Sequence, residues 1–178
     1  TMYTSNQGLL ELRQLIARHL ERLYGVTYDP ACEIVITMGV SEGLDITARA
    51  LLDPDDEVIV PDPGYVAYAP CVTLSGGVVR PVPTSLGCGF KVRAEDIERA
   101  VTPRTKAMLL GYPNNPTGAV LTRAESQAIA SVAERHDLLV ISDEIYDRLV
   151  YGTEHTCFAA LPGMRERTIL LGGFSKAY

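Results

Sequence analysis

A few short stretches of this sequence carry residue types that can do chemistry. Lys176 follows Gly172-Gly173-Phe174-Ser175 at the end of an apolar run. An amine half-buried at such a place sheds its proton more readily and attacks carbonyls; alone, it reads first as a surface lysine. Asp143 closes the apolar run Leu138–Ser142. An acid there either caps a helical segment over Glu144–Leu149 or is a buried charge that needs a cation. Tyr146 lies three residues on, on the same face of a helical turn, or simply packs. Asn115-Pro116-Thr117-Gly118 is a rigid turn whose X-Pro bond can be cis, or a purely structural one. Gly39-Val40-Ser41 precedes a helical pattern, and free N–H groups at a helix start hold phosphate, although a plain cap has the same look. Tyr65, after Asp62-Pro63-Gly64, either stacks on a flat ring or fills the core.

The elements that must position these residues alternate. A helix is expected over Leu9–Tyr24, with Leu12, Leu15, Ile16, Leu20 and Leu23 on one face and Gly25 as its stop. A short strand is expected over Glu33–Thr37, then a helix from Gly39-Ser41 to Leu52. Strands follow at Glu57–Val60, Val78–Val82, Lys106–Gly111, Leu138–Ser142 and Thr168–Leu171. Between them fall helices at Tyr65–Leu74, where Pro70 intrudes, at Arg93–Ala100 and at Arg123–His136. Pro61-Asp62-Pro63-Gly64 is expected to be irregular. Strands alternating with helices imply an α/β three-layer sandwich around a mainly parallel sheet. In such sheets ligands sit beyond the carboxyl ends of the strands, where all the residues above collect.

The 178 residues are 47% hydrophobic with a net charge of -6, enough for one domain with a real core. No run of Lys or Arg favours nucleic acid or an anionic membrane, and no apolar run has membrane length. Cys32, Cys71, Cys88 and Cys157 form no CxxC pair and none stands at metal-ligand spacing from a histidine. Reduced cysteines in a cytoplasmic protein are the expectation, with no metal.

Singly, each stretch has a bland explanation. Together they specify one ligand, with a phosphate (Ser41), a flat ring (Tyr65), a ring nitrogen wanting an anion (Asp143), a phenolic oxygen wanting donors (Asn115, Tyr146) and an aldehyde wanting an amine (Lys176). Pyridoxal 5'-phosphate has every part.

The sequence also resembles the fold type I pyridoxal-phosphate enzymes, specifically class I/II aminotransferases of the aspartate/aromatic type. The likeness lies in Tyr3–Gly8 with Leu12-Arg13, Thr37–Leu44, Asp55–Tyr68, Pro113–Gly118, Ser142–Tyr146 and Phe174–Lys176. It implies that Lys176 carries the cofactor, Asp143 pairs with the pyridine nitrogen, and Asn115 and Tyr146 bond the ring oxygen. It implies further that Tyr65 stacks on the ring, that Gly39, Val40 and Ser41 form the phosphate loop, and that Tyr3 reaches the neighbouring subunit's phosphate across a homodimer. Asn115–Pro116 is implied to be cis. Where many relatives have a phosphate-binding serine, this chain has Gly173, so Ser175 is the substitute. The implied substrates are an amino acid and a 2-oxo acid. Val40, Tyr68 and the loop around Tyr112 suit aromatic, branched or acidic amino acids alike.

The same pattern serves carbon–sulfur lyases, aminocyclopropanecarboxylate synthases and some decarboxylases, and a non-catalytic ligand-sensing domain is a further alternative. Neither terminus looks natural. The expectation is a partial large domain over residues 1–178, incomplete at its C-terminus and without the small domain, and inactive in isolation.

Overall fold

The computed structural model describes residues 5–178. Helix α1 (Leu10–Tyr24) stops at Gly25, whose φ of 70° is the left-handed cap that glycine adopts without strain. Arg13 is buried on this helix because its guanidinium donates to the carbonyls of Pro30 and Ala31 and to Gln7 Oε1. That clamp ties α1 to the segment leading into α2 (Val40–Leu51). The strand expected at residues 33–37 does not form. Ile36 N–H donates to Gln7 O at 3.0 Å, and these residues have no ladder partner among the described residues.

Among the described residues, five strands build one sheet in the order β2-β1-β3-β4-β5. They are β1 (Glu57–Asp62), β2 (Val78–Pro83), β3 (Thr105–Gly111), β4 (Leu139–Asp143) and β5 (Thr168–Leu171). Every pairing is parallel. The crossovers carry α3 (Tyr68–Leu74), α4 (Ala94–Ala100) and α5 (Arg123–Arg135), and β5 runs into α6 (Phe174–Ala177). Strand alternation sends Met108 and Leu110 of β3 to one face, with Ile97, Ile129 and Met164. It sends Ala107 and Leu109 to the other, with Leu44, Ala48 and Val72. Helices thus cover both faces, as a parallel sheet requires, and the expected sandwich is the observed one.

Prolines account for two local features. Pro61 and Asp62, expected to be irregular, continue β1 opposite Val82 and Pro83. Pairing of β1 with β3 covers only Glu57–Ile59, so the missing Pro61 N–H costs no ladder bond on that side. Pro70 is the third residue of α3, within the first turn, where N–H groups have no partner in the helix anyway. At the outer edge, β2 carries Pro81 and Pro83, neither of which has an N–H to offer. Helix α5 starts at a capping box: Thr122 Oγ1 accepts Glu125 N–H, and Glu125 returns a carboxylate to Thr122 N–H at 2.7 Å.

Ile129 is 0% exposed between α5 and the sheet. Ile129→Ala is expected to cost about 2–5 kcal/mol and Ile129→Val about 1 kcal/mol. In urea titration this appears as a lower midpoint at constant slope; equal midpoints for the two variants would contradict this packing.

Candidate functional site

The parallel register aligns Gly111, Asp143 and Leu171 at one edge of the sheet, the carboxyl ends of β3, β4 and β5. Asp143 is 6% exposed there. Its Oδ2 accepts the Tyr68 hydroxyl at 2.8 Å and its Oδ1 accepts Ile145 N–H at 3.2 Å. Both expectations for Asp143 therefore hold in part: it braces the following turn like a cap, and it is a buried acid. The segment after it forms turns and not the helix considered for Glu144–Leu149. No Lys, Arg or His pairs with Asp143 among the described residues. Burial, and then the adjacent negative charge of Glu144, push its carboxyl above the usual range, while the Tyr68 and Ile145 donors pull the other way.

Tyr68 was expected only to face a substrate. It is instead the main side-chain partner of Asp143. Burial and then the Asp143 charge drive its phenol far above the ordinary value, so it remains a donor. Its place depends on Gly111, where an added Cβ would lie 2.1 Å from the Tyr68 hydroxyl. The signal in the sequence was a glycine ending an otherwise bulky strand. The half-buried Tyr65 packs edge-on to Tyr68, with ring centroids 5.6 Å apart, and its hydroxyl lies 3.3 Å from Ser41 Oγ. Ser41, Tyr65, Tyr68 and Asp143 thus form one connected row.

Gly39 takes φ 80° and ψ 170°, and α2 starts with no side-chain cap. Its first N–H groups are left for an external acceptor. Glu42 in that turn folds back, its carboxylate accepting Met38 N–H. Val40 is buried, so within this loop Gly39 and Ser41 are the exposed positions. The link from β5 to α6 packs over the same edge. A Cβ on Gly173 would lie 3.5 Å from Ile145 and 3.8 Å from Val40.

The turn 112–118 approaches from β3. Asn115–Pro116 is cis, as expected. Asn115 itself is half-buried. The neighbouring Asn114, not singled out from sequence, holds the turn. It donates to Gly111 O at 3.2 Å and accepts the Thr117 hydroxyl at 2.7 Å. Tyr112 points away from the site, into the core on the α5 face, where its hydroxyl accepts Val92 N–H at 2.9 Å. Tyr146 is half-buried in the turn after Asp143. Ser175 and Lys176 lie on α6 and are exposed, which corrects the expectation of a half-buried lysine. That expectation took the apolar run of β5 to continue around the lysine, whereas the chain leaves the sheet at Gly172. Tyr3 lies outside the described residues.

The chain matches the model of the family described as aminotransferase class I and II over residues 1–178. It is 48% identical over 178 residues to a protein of Bacillus subtilis (strain 168) provisionally named an aminotransferase, covering 100% of this chain and 46% of that protein. It is 41% identical over 179 residues to aromatic-amino-acid aminotransferase 2 of Thermococcus litoralis, with 100% and 46% covered. The crystal structure of an aromatic aminotransferase from Pyrococcus horikoshii superposes with a TM-score of 0.96 at 42% identity, covering 99% of this chain and 48% of that one. The chain therefore spans about half the length of the curated relatives it matches.

The raised titration of Asp143 has a definite sign. A carboxyl that binds its proton more tightly folded than unfolded adds stability below the ordinary carboxylate range. That contribution is lost as pH rises through the folded-state value. In ligand-free protein, Asp143→Asn is thus expected to raise the melting temperature at pH 7, with the gain shrinking as pH falls towards the ordinary carboxylate range. A gain independent of pH would show that burial of this charge is not its source. Tyr68→Phe removes a donor to the anion and is expected to move the Asp143 titration, followed by carboxyl 13C NMR, further upward.

Proposed function

Because this chain belongs to the aminotransferase class I and II family, we propose that the protein carrying it moves amino groups between amino acids and 2-oxo acids with pyridoxal 5'-phosphate. The observation that carries this reading is Asp143: a buried carboxylate held by neutral donors and paired with no cation among the described residues. An unpaired buried charge is costly, and a protonated ring nitrogen supplies the missing positive charge. The uncapped start of α2 and the Tyr65 ring beside Ser41 suit the phosphate and the ring of the same molecule.

When bound, pyridoxal phosphate supplies an electron sink for the substrate and a carrier for the amino group. Asp143 keeps positive charge on the ring nitrogen, and Tyr68 keeps Asp143 in place. Asn115 and Tyr146 donate to the phenolic oxygen. The α2 N–H groups at Gly39, Val40 and Ser41, with the Ser41 and Ser175 hydroxyls, hold the phosphate. Lys176 Nζ would anchor the cofactor and, once freed, would be the base and acid that moves the substrate Cα proton. Residues 1–178 supply most of the cofactor-binding large domain. The exposure of Lys176, Ser175 and Ser41 supports completion of the site by further chain. The resemblance to the family extends the proposal to a homodimer in the cytoplasm, with Tyr3 serving the neighbouring subunit's phosphate.

Lys176→Ala in the protein that carries this chain is expected to abolish covalent attachment of pyridoxal phosphate, read by mass after borohydride reduction. Turnover should fall by about 10²–10⁴-fold or more. Asp143→Ala is expected to lower turnover far more than cofactor binding; wild-type turnover would remove the assigned role. A panel of amino acids should bleach the yellow absorption and leave aminated cofactor. Release of pyruvate or ammonia instead would mark a lyase. The isolated 178-residue chain is expected to show no transaminase activity.

A further inference from the structure

Just past the end of β4 a second buried carboxylate, Glu144, has different surroundings. Ser142 and Glu144 flank Asp143 and alternate away from it. Glu144 is 4% exposed. Its Oε1 accepts the Ser142 hydroxyl and Phe158 N–H, each at 2.8 Å, and its Oε2 lies 2.6 Å from His155 Nε2. The His155 side chain is itself 8% exposed. Tyr24 of α1 packs edge-on to the His155 ring at 5.8 Å and donates its hydroxyl to Asp147 Oδ2 at 2.5 Å. The chain between Glu144 and Phe158 forms no long helix or strand, and it carries Tyr146. These contacts tie it down at both ends.

The charged and titratable groups around the pair leave His155 a singular part. Tyr24 and Tyr28 approach from α1 and the segment after it, with Cys157, Asp147 and Asp143 from the pair's own stretch. Burial, reinforced by nearby acids, pushes the Tyr24 phenol and the Cys157 thiol well above their ordinary values. Tyr28 is pushed up to about 12, mainly by burial. These three stay neutral near pH 7. Arg165 lies over the Tyr28 ring, 4.3 Å from its centroid, and is paired with Glu33. Among the described residues, His155 is therefore the one group able to carry positive charge in contact with Glu144.

We propose that His155 is a positioning residue of the Asp143 site: through Glu144 it pins the turn that bears Tyr146 and offsets the negative charge next to Asp143. The meaning for catalysis rests on the proposed function, but the effect on Asp143 does not need the cofactor. Replacing a protonated His155 by a neutral side chain would leave Glu144 uncompensated and make Asp143 harder to ionise. Removing the charge of Glu144 does the reverse. A role in packing alone predicts no such opposition.

The test is the 13C titration of the Asp143 carboxyl in cofactor-free whole protein, with melting temperature measured alongside. His155→Gln keeps a hydrogen-bond donor and cannot be protonated; its Asp143 midpoint is expected to move up. Glu144→Gln is expected to move it down. An unchanged or lowered midpoint in His155→Gln overturns the proposal, even if Glu144→Gln does not fold. Shifts in the same direction for both variants overturn it as well. Failure of the wild-type protein to bind pyridoxal phosphate would sink the proposed function and leave this titration fully interpretable.

Discussion

The whole edge of the sheet is arranged around one unfavourable fact, a carboxylate buried at the end of β4 with no cation beside it among the described residues. Left to itself such a group weakens the fold. The neighbours soften the penalty without removing it. Tyr68 and Ile145 N–H donate to the anion, but both are neutral, and Glu144 adds negative charge from the far side. Under the proposed function a positively charged guest would remove that penalty, and occupancy and stability would be coupled through the same oxygen atoms.

Holding that carboxylate requires agreement between distant parts of the chain. Tyr68 reaches Asp143 from α3, 75 positions earlier. It can do so because Gly111, on the intervening strand, has no side chain. Tyr65 extends the row to Ser41 at the start of α2. Side chains from the start of α2, from the β1–α3 connection and from the end of β4 thus meet at a single edge, beyond the carboxyl ends of the strands. The scaffold beneath is ordinary close packing, with Met108, Ile97 and Ile129 fully buried.

Much of this was legible in the sequence because local chemistry and global position agree. The runs that became β3, β4 and β5 are apolar and bounded by Gly or polar residues, so their ends could be read closely. The segment at residues 33–37 has the same local look but failed, since a strand needs a neighbour and none is present for it among the described residues. Pro61 misled in the opposite direction: proline argues against a strand unless the missing donor faces no partner, and only the sheet register reveals that. The bond of Tyr68 to Asp143 and the part played by Asn114 are not legible, because they depend on contacts, to Asp143 and to Gly111 and Thr117, that no periodicity encodes. The exposure of Lys176 was illegible for a related reason. A lysine after an apolar strand is covered only if something folds over it.

The two borders of the sheet are not equivalent. Along β2, Pro81 and Pro83 remove amide donors, which discourages another strand from docking there. The opposite border is β5, whose residues Thr168–Leu171 include no proline and lead directly into the lysine-bearing α6. Lateral growth of the sheet is thus steered to one side. A strand recruited on that side would settle against the element that leads to Lys176, so extending the sheet and covering that exposed amine would become a single folding event.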